Sequence, residues 1–161
     1  MKVGILMGST SDESKMSKAK ETLEEFGIES EWKVLSAHRN PDKVVNLVST
    51  ARENGFVAFI CGAGMAAHLA GVVAAHTTLP VVGVPLSGGA LNGQDALYAT
   101  VQMPKGVPVA TVAIGKAGAI NAGYLAAQML STGNDELAEK VKNLREEQKE
   151  ALKKENEDLQ S

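Results

Sequence analysis

The sequence predicts an α/β protein in which parallel strands alternate with helices. Two observations support this prediction. Five short apolar runs alternate with stretches whose apolar residues recur at helical spacing. The first run, Lys2 to Met7, shows little polar–apolar alternation, which is typical of a strand covered by helices on both faces. Strands that alternate with helices in this way form parallel βαβ units with right-handed crossovers.

The first half of the chain predicts two strand–helix units. The helix after the first strand has an apolar stripe that consists of Met16, Ala19, Leu23 and Phe26. Gly27 is placed to end this helix, and Ile28 to Leu35 predicts the second strand. The second helix ends at Asn54-Gly55. Its apolar stripe consists of Val44, Leu47, Val48 and Ala51.

The second half predicts three more strands. Phe56 to Cys61 predicts the third strand, which runs into Gly62-Ala63-Gly64 and a small-residue helix through Ala75. Pro80 to Val84 and Val107 to Ile114 predict strands four and five. Five such strands predict a flavodoxin-like three-layer α/β/α sandwich with the sheet order 2-1-3-4-5.

Three further helices complete the predicted architecture. A short one, from about Gly93 to Val101, lies between the last two strands. Gly115 to Ser131 is apolar nearly all round, which favours burial against neighbouring subunits. From Asp135 to Ser161 the pattern is a highly charged helix with a thin apolar seam. We therefore expect a catalytic domain over residues 1–134 and a C-terminal helix over 135–161 that packs on the same or a neighbouring subunit.

Composition excludes several function classes. The only cysteine, Cys61, excludes an intrachain disulfide and a cysteine-rich metal site. The net charge of −3 and the absence of a basic block argue against a nucleic-acid partner. No run reaches the roughly 18 apolar residues of a membrane span, and no signal-peptide pattern is present. We expect a cytoplasmic protein.

The charge is distributed unevenly along the chain. Between Asn54 and Asn134, the only Asp, Glu, Lys and Arg residues are Asp95, Lys105 and Lys116. A monomer of this size needs more solvated charge than that on its surface. The sequence therefore predicts extensive contact between copies of the chain.

Four polar or glycine-rich turns follow the predicted strands. They are Gly8–Asp12, Ser36–Arg39, Gly62–His68 and Leu86–Gly89. The carboxyl ends of parallel strands meet at one edge of the sheet, and ligands bind there beside the switch point next to strand one. We expect the four turns to line one crevice.

The first of these turns favours a phosphate monoester. Its backbone N–H groups, its hydroxyls at Ser9 and Ser11 and the following helix N-terminus are groups that bind phosphate. The alternative is an ordinary helix cap made by Ser11 or Asp12. Asp12 would repel a phosphate, so sugar hydroxyls suit its carboxylate better.

The second turn offers the chemistry of proton transfer. His38 supplies a titratable imidazole, and Arg39 supplies a guanidinium that can clamp an anion. Asn40 is a credible helix N-cap, Pro41 suits the first helical position and Asp42 suits the first turn. The alternative for His38 is a structural role at the strand end.

The other two histidines are less specific. His68 could line the site or be a hydrogen-bonded core histidine, whereas His76 is placed as a cation at a helix C-terminus. Histidines on separate turns without a carboxylate or cysteine cluster do not predict a metal site. Cys61 ends an apolar strand and is expected to be inert packing.

Several separate motifs resemble those of a known family. They are Met7 to Asp12, Ser36 to Asp42, Gly62 to Leu69, Val101 to Val109 and Ala113 to Gly118. In this order they closely resemble the bacterial N5-carboxyaminoimidazole ribonucleotide mutase family of purine biosynthesis, the PurE family. The resemblance covers about residues 2–131, with a looser match in the C-terminal helix.

The resemblance implies a homo-octamer that moves a carboxylate from an exocyclic nitrogen to ring carbon 4 of an aminoimidazole ribonucleotide. It implies no ATP, biotin, metal or organic cofactor. It implies that His38 transfers protons and that the substrate is bound by Ser9, Ser11, Asp12, Ser36, Arg39 and Gly64, with His68 as a further candidate. Met65 stands where glycine is common in the family, and Ala70 stands where proline is common, so the backbone at Gly64 is expected to differ slightly.

Three other functions are compatible with a sheet of this kind. A response-regulator receiver needs an acidic pair after strand one and an aspartate after strand three, where this chain has Gly8-Ser9 and Cys61-Gly62. An FMN-binding module fits the first turn, but the chain is only 4% aromatic and shows no flavin sandwich. The closest rival is a carboxylase that uses free CO2. The lysine that follows the histidine in that type is Arg39 here.

Overall fold

A parallel sheet forms the middle layer of the computed structural model, which describes residues 1–160. Its strands are β1 (Lys2–Met7), β2 (Glu29–Val34), β3 (Phe56–Gly64), β4 (Val81–Leu86) and β5 (Ala110–Thr111). All neighbours pair in parallel, in the order β2-β1-β3-β4-β5. The predicted sheet order and fold class are confirmed.

Five helices cover the two faces of the sheet, and a sixth packs on the last of them. They are α1 (Glu13–Glu25), α2 (Pro41–Ser49), α3 (Leu69–His76), α4 (Gln94–Val101), α5 (Lys116–Ser131) and α6 (Asp135–Leu159). Helices α1 and α5 pack on one face, while α2 and α3 pack on the other. Each face has its own apolar core, because side chains alternate between the two faces along a strand. Within residues 1–160, no helix is long and apolar enough to span a membrane.

The predicted apolar stripes face the core. Met16, Ala19 and Leu23 of α1 are fully buried, and so are Val44 and Val48 of α2. The 3.6-residue period of an amphipathic helix fixes which side chains share a face, so this part of the core follows from the sequence alone.

The bounds of β3 and β5 differ most from the predictions, and β4 also extends beyond its predicted end at Val84 to Leu86. Strand β3 continues through Gly64, because Gly62 pairs with Met7 of β1 and Gly64 pairs with Leu86 of β4. The glycines of the third turn are therefore part of the ladder. A Cβ at Gly64 would lie 3.0 Å from the carbonyl oxygen of Leu86, so this close approach requires glycine.

Strand β5 has only two residues instead of the eight expected from Val107 to Ile114. Pro85 lies within β4 and Pro108 lies at the start of the predicted strand. Neither proline has an N–H to donate to a ladder. Two isolated bonds, Val112 N–H to Gly83 O and Gly115 N–H to Pro85 O, continue the contact beyond the strand.

Helices α5 and α6 are only partly covered in a single chain. One side of α5 is buried, and its fully buried alanines are Ala119, Ala122, Ala126 and Ala127. Ala117 and Asn121 of the same helix are exposed. The first half of α6 packs its Leu137, Val141 and Leu144 near Phe26, whereas Leu152 in its second half is 65% exposed.

Candidate active site

The turn after β1 is built around the hydroxyl of Ser9. Residues Thr10–Asp12 form a short 3-10 turn, and Ser9 caps it by accepting a 3.2 Å hydrogen bond from the backbone N–H of Ser11. The Ser11 hydroxyl also donates to Ser9 Oγ at 2.9 Å. The two hydroxyls thus lie together at the carboxyl end of β1, so capping and ligand binding can use the same groups.

The turn after β2 is closed by Ser36 and Asn40. The Ser36 backbone N–H donates to Asn40 Oδ1 at 2.7 Å, and the Ser36 hydroxyl accepts from the backbone N–H of Arg39 at 3.2 Å. Asn40 occupies the N-cap position of α2 and Pro41 is the first helical residue, as predicted. However, the Asn40 side chain makes no bond to the helix, because it reaches back to Ser36 instead.

Arg39 joins the second turn to the first. Its guanidinium donates to the backbone carbonyl of Gly8, at the end of β1. The side chain is exposed, so its remaining N–H donors face the open edge of the sheet. A cation in this position can bind an anion held by the Ser9 turn.

His38 and His68 form a hydrogen-bonded pair between the second and third turns. Nε2 of His38 lies 2.8 Å from Nδ1 of His68, and the ring planes cross at 80°. Both side chains are exposed, so the core alternative for His68 is wrong. One nitrogen of the pair must donate and the other accept, so the two tautomers are coupled.

Strain is stored where the third turn leaves the sheet. Met65 has a φ of 54°, and a non-glycine residue in this left-handed region costs about 1–2 kcal/mol. Its side chain is 58% exposed and lies near the fourth turn, because a Cβ at Gly89 would lie 3.2 Å from Cγ of Met65.

Lys15 ties α1 to the fourth turn, and the sequence reasoning missed it. Its ammonium donates to the carbonyl of Ser87 at 2.7 Å. The sequence could have indicated this contact. A cation in the first turn of a helix is disfavoured by the helix dipole, so a lysine at that position suggests a role outside the helix.

Asp12 has a perturbed carboxyl group. Burial raises its pKa above the ordinary value of 3.8, while the Lys15 ammonium and a backbone hydrogen bond at Ser9 oppose this rise. Burial prevails because it removes water from the charged form. The charged form of such a buried carboxyl group is stabilised by a partner that donates hydrogen bonds, as sugar hydroxyls do.

The remaining candidates carry no chemistry at this edge. Cys61 is buried, and burial raises the pKa of its thiol, which keeps it unreactive as expected. His76 is the last residue of α3, at the opposite edge of the sheet. Among residues 1–160, no group of three or more His, Cys, Asp or Glu side chains could hold a metal ion.

Comparison with known proteins places this arrangement in a family. The family profile described as AIRC, AIR carboxylase, matches residues 2–151. The chain belongs to the AIR carboxylase family. Every turn described above lies inside the matched range.

Similar proteins cover nearly the whole chain. A Vibrio vulnificus protein named N5-carboxyaminoimidazole ribonucleotide mutase is 55% identical over 94% of this chain and 94% of its own length. A Bacillus subtilis protein of the same name is 55% identical over 93% of both chains. A solved structure of Treponema denticola PurE is 28% identical, covers 99% of this chain and 98% of its own, and superposes with a TM-score of 0.86.

Proposed function

We propose that the protein is an N5-carboxyaminoimidazole ribonucleotide mutase. The enzyme moves the carboxylate of its substrate from the exocyclic nitrogen to ring carbon 4. The observation that carries this proposal is the exposed His38–His68 pair at the same sheet edge as Arg39 and the Ser9 turn. The names of the Vibrio and Bacillus relatives support the same activity.

Substrate binding follows from the donors and acceptors of the first two turns. Ser9, Ser11 and Ser36 hold the phosphate, and Arg39 adds the positive charge that the phosphate needs. Asp12 accepts hydrogen bonds from the ribose hydroxyls. Gly64 and its neighbours hold the carboxylate end, where the absence of a side chain lets backbone N–H groups approach the ligand.

The reaction needs one proton, which His38 donates to the substrate in the first step and takes back in the last. Protonated His38 gives its proton to the exocyclic nitrogen as the N–C bond of the carbamate breaks, which leaves the amine and CO2. Ring carbon 4 then attacks the CO2 carbon, and the electron pair of one C=O bond becomes the new carboxylate charge. Neutral His38 removes the proton from carbon 4, which restores aromaticity and the imidazolium. The net change is an isomerisation.

His68 orients His38 in this scheme. The 2.8 Å hydrogen bond between Nε2 of His38 and Nδ1 of His68 fixes the ring orientation of His38. The other nitrogen of His38 is then left for the substrate. His68 thus acts as a positioning residue in the proposed mechanism.

We also propose that the enzyme works as a homo-octamer in the cytoplasm. Support for assembly comes from the half-exposed α5, whose outward residues are largely uncharged, and from the scarcity of charge between Asn54 and Asn134. Neighbouring subunits would close the cleft over the carboxyl edge and exclude water from it. Mass measurement in solution tests the octamer.

Two incubations test the proposed activity. The protein is given N5-carboxyaminoimidazole ribonucleotide at low bicarbonate and, separately, aminoimidazole ribonucleotide with bicarbonate. We expect rapid formation of the 4-carboxy product in the first incubation. Product in the second alone would contradict the mutase and favour the carboxylase that uses free CO2.

A further inference from the structure

We propose that the side chain of Met65 is the apolar wall that keeps released CO2 beside the substrate ring. This proposal rests on the proposed mutase function and assigns a retention role to a residue that makes no hydrogen bond in the reaction. The role depends on a large side chain at a backbone position that favours glycine.

The backbone conformation of Met65 is the first support. Only two non-glycine residues among residues 1–160 have positive φ, Met65 at 54° and Asn92 at 51°. Asparagine tolerates this region because its short polar side chain bonds locally, but methionine has no such compensation. Strain of this kind persists at sites where the side chain has a function.

The placement of the side chain is the second support. Met65 is flanked by Gly64, at the carboxylate end of the proposed site, and lies three residues before His68, which contacts the proton-transfer residue. Gly62 to His68 contains no other large apolar side chain, because its other apolar residues are alanines. Met65 therefore lies on the short segment that links Gly64 to His68, the partner of the proton-transfer residue.

The fourth turn is shaped to receive this side chain. A Cβ at Gly89 would lie 3.2 Å from Cγ and 3.6 Å from Sδ of Met65, so the methionine side chain lies on the side of Gly89 where a larger residue would place its own side chain. The contact bridges the loops that follow β3 and β4. Lys15 anchors the same fourth turn by its bond to Ser87 O, which holds the receiving surface in place.

The chemistry of the intermediate explains why this wall is apolar. CO2 has no net dipole, is weakly hydrated and is lost by diffusion or by hydration to bicarbonate. A polarisable thioether offers it a dry contact and keeps water from the cleft. Capture by ring carbon 4 then competes against a slower escape, which raises the effective molarity of CO2.

Isotope retention tests the proposal directly. The full-length protein receives substrate carrying 13C in its carboxylate, in buffer containing unlabelled bicarbonate, and the 13C content of the product is measured at early times. In Met65→Ala, which keeps a Cβ but removes the wall, we expect lost label to rise by about fivefold over the wild type. Met65→Leu keeps apolar bulk and should retain label.

Leu91 supplies the matched control, since it is equally 58% exposed and lies shortly after the fourth turn. Leu91→Ala should leave label retention unchanged. Unchanged retention in Met65→Ala, whatever its turnover, would overturn the role of Met65 while leaving the mutase intact. A wild-type protein that forms no product from the labelled substrate would overturn both proposals.

Discussion

The two edges of the sheet are built from different turns. At the amino edge, the positive φ angles before β2 and β3 belong to glycines, Gly27 and Gly55, which adopt them without strain. At the carboxyl edge, Met65 and Asn92 adopt such angles despite their side chains. The chain thus keeps its strained backbone at the edge that carries the candidate site.

The contacts that hold the two edges also differ. The amino edge uses backbone bonds such as Lys2 N–H to Gly55 O at 3.0 Å, with Arg52 to Thr78 as a side-chain bond between distant residues. The carboxyl edge is joined by long side chains, through His38 with His68, Arg39 with Gly8 O and Lys15 with Ser87 O. A ligand can compete for side chains of this kind, whereas a backbone turn is fixed. Substitutions at the two edges should therefore separate activity from stability.

The largest expected effect is on catalysis at His38. Because His38 transfers the proton in the proposed mechanism, His38→Asn should reduce turnover by about 10²–10⁴-fold or more. Binding of the ribonucleotide should be kept, since the phosphate contacts lie elsewhere. Single-turnover kinetics and equilibrium binding measure the two quantities, and normal turnover would reject the assigned role.

Removing the Arg39 charge should weaken binding next. A charge-assisted hydrogen bond to an anion contributes about 1.5–3 kcal/mol, so Arg39→Gln should raise KM by roughly 10–100-fold. Arg39→Lys keeps the positive charge but lacks the planar guanidinium, so its KM should lie between that of the wild type and that of Arg39→Gln. Steady-state kinetics provide the measurement. An equal KM for all three proteins would remove Arg39 from the anion site.

The amino edge should respond in stability alone. Gly55 has a φ of 78°, and a Cβ there meets nothing within 4 Å, so Gly55→Ala isolates the backbone cost. We expect the free energy of unfolding to fall by about 1 kcal/mol with kcat and KM unchanged. Urea denaturation and kinetics together check this. A loss of activity in the folded variant would show that the edges are coupled.

The smallest effect concerns Asp12. Because burial raises the pKa of this carboxyl, the folded state holds the proton more tightly than the unfolded state. The resulting stabilisation is present below pH 3.8 and is lost as pH rises through the folded pKa. Asp12→Asn should therefore raise Tm slightly at pH 7, lose that advantage near pH 3 and bind ribonucleotide more weakly. A lower Tm at pH 7 would contradict this account.

The sequence by itself determined the order of strands and helices and the residues that line the four turns. Apolar periodicity is local, so it fixed the buried stripes of α1 and α2, and parallel topology then required the four turns to share an edge. The second turn itself singled out His38 and Arg39, as an imidazole beside a guanidinium, and the family resemblance added their roles. These features depend on short stretches of chain, so they can be predicted from the sequence.

Only the tertiary structure decided which groups meet. The contact between His38 and His68 spans 30 residues, and that between Lys15 and Ser87 spans 72. The short β5 depended on prolines in two different segments, Pro85 and Pro108, and the side chain of Met65 lies beside Gly89 of a different turn. Distances between remote segments follow from the packing of the whole chain, which no local pattern encodes.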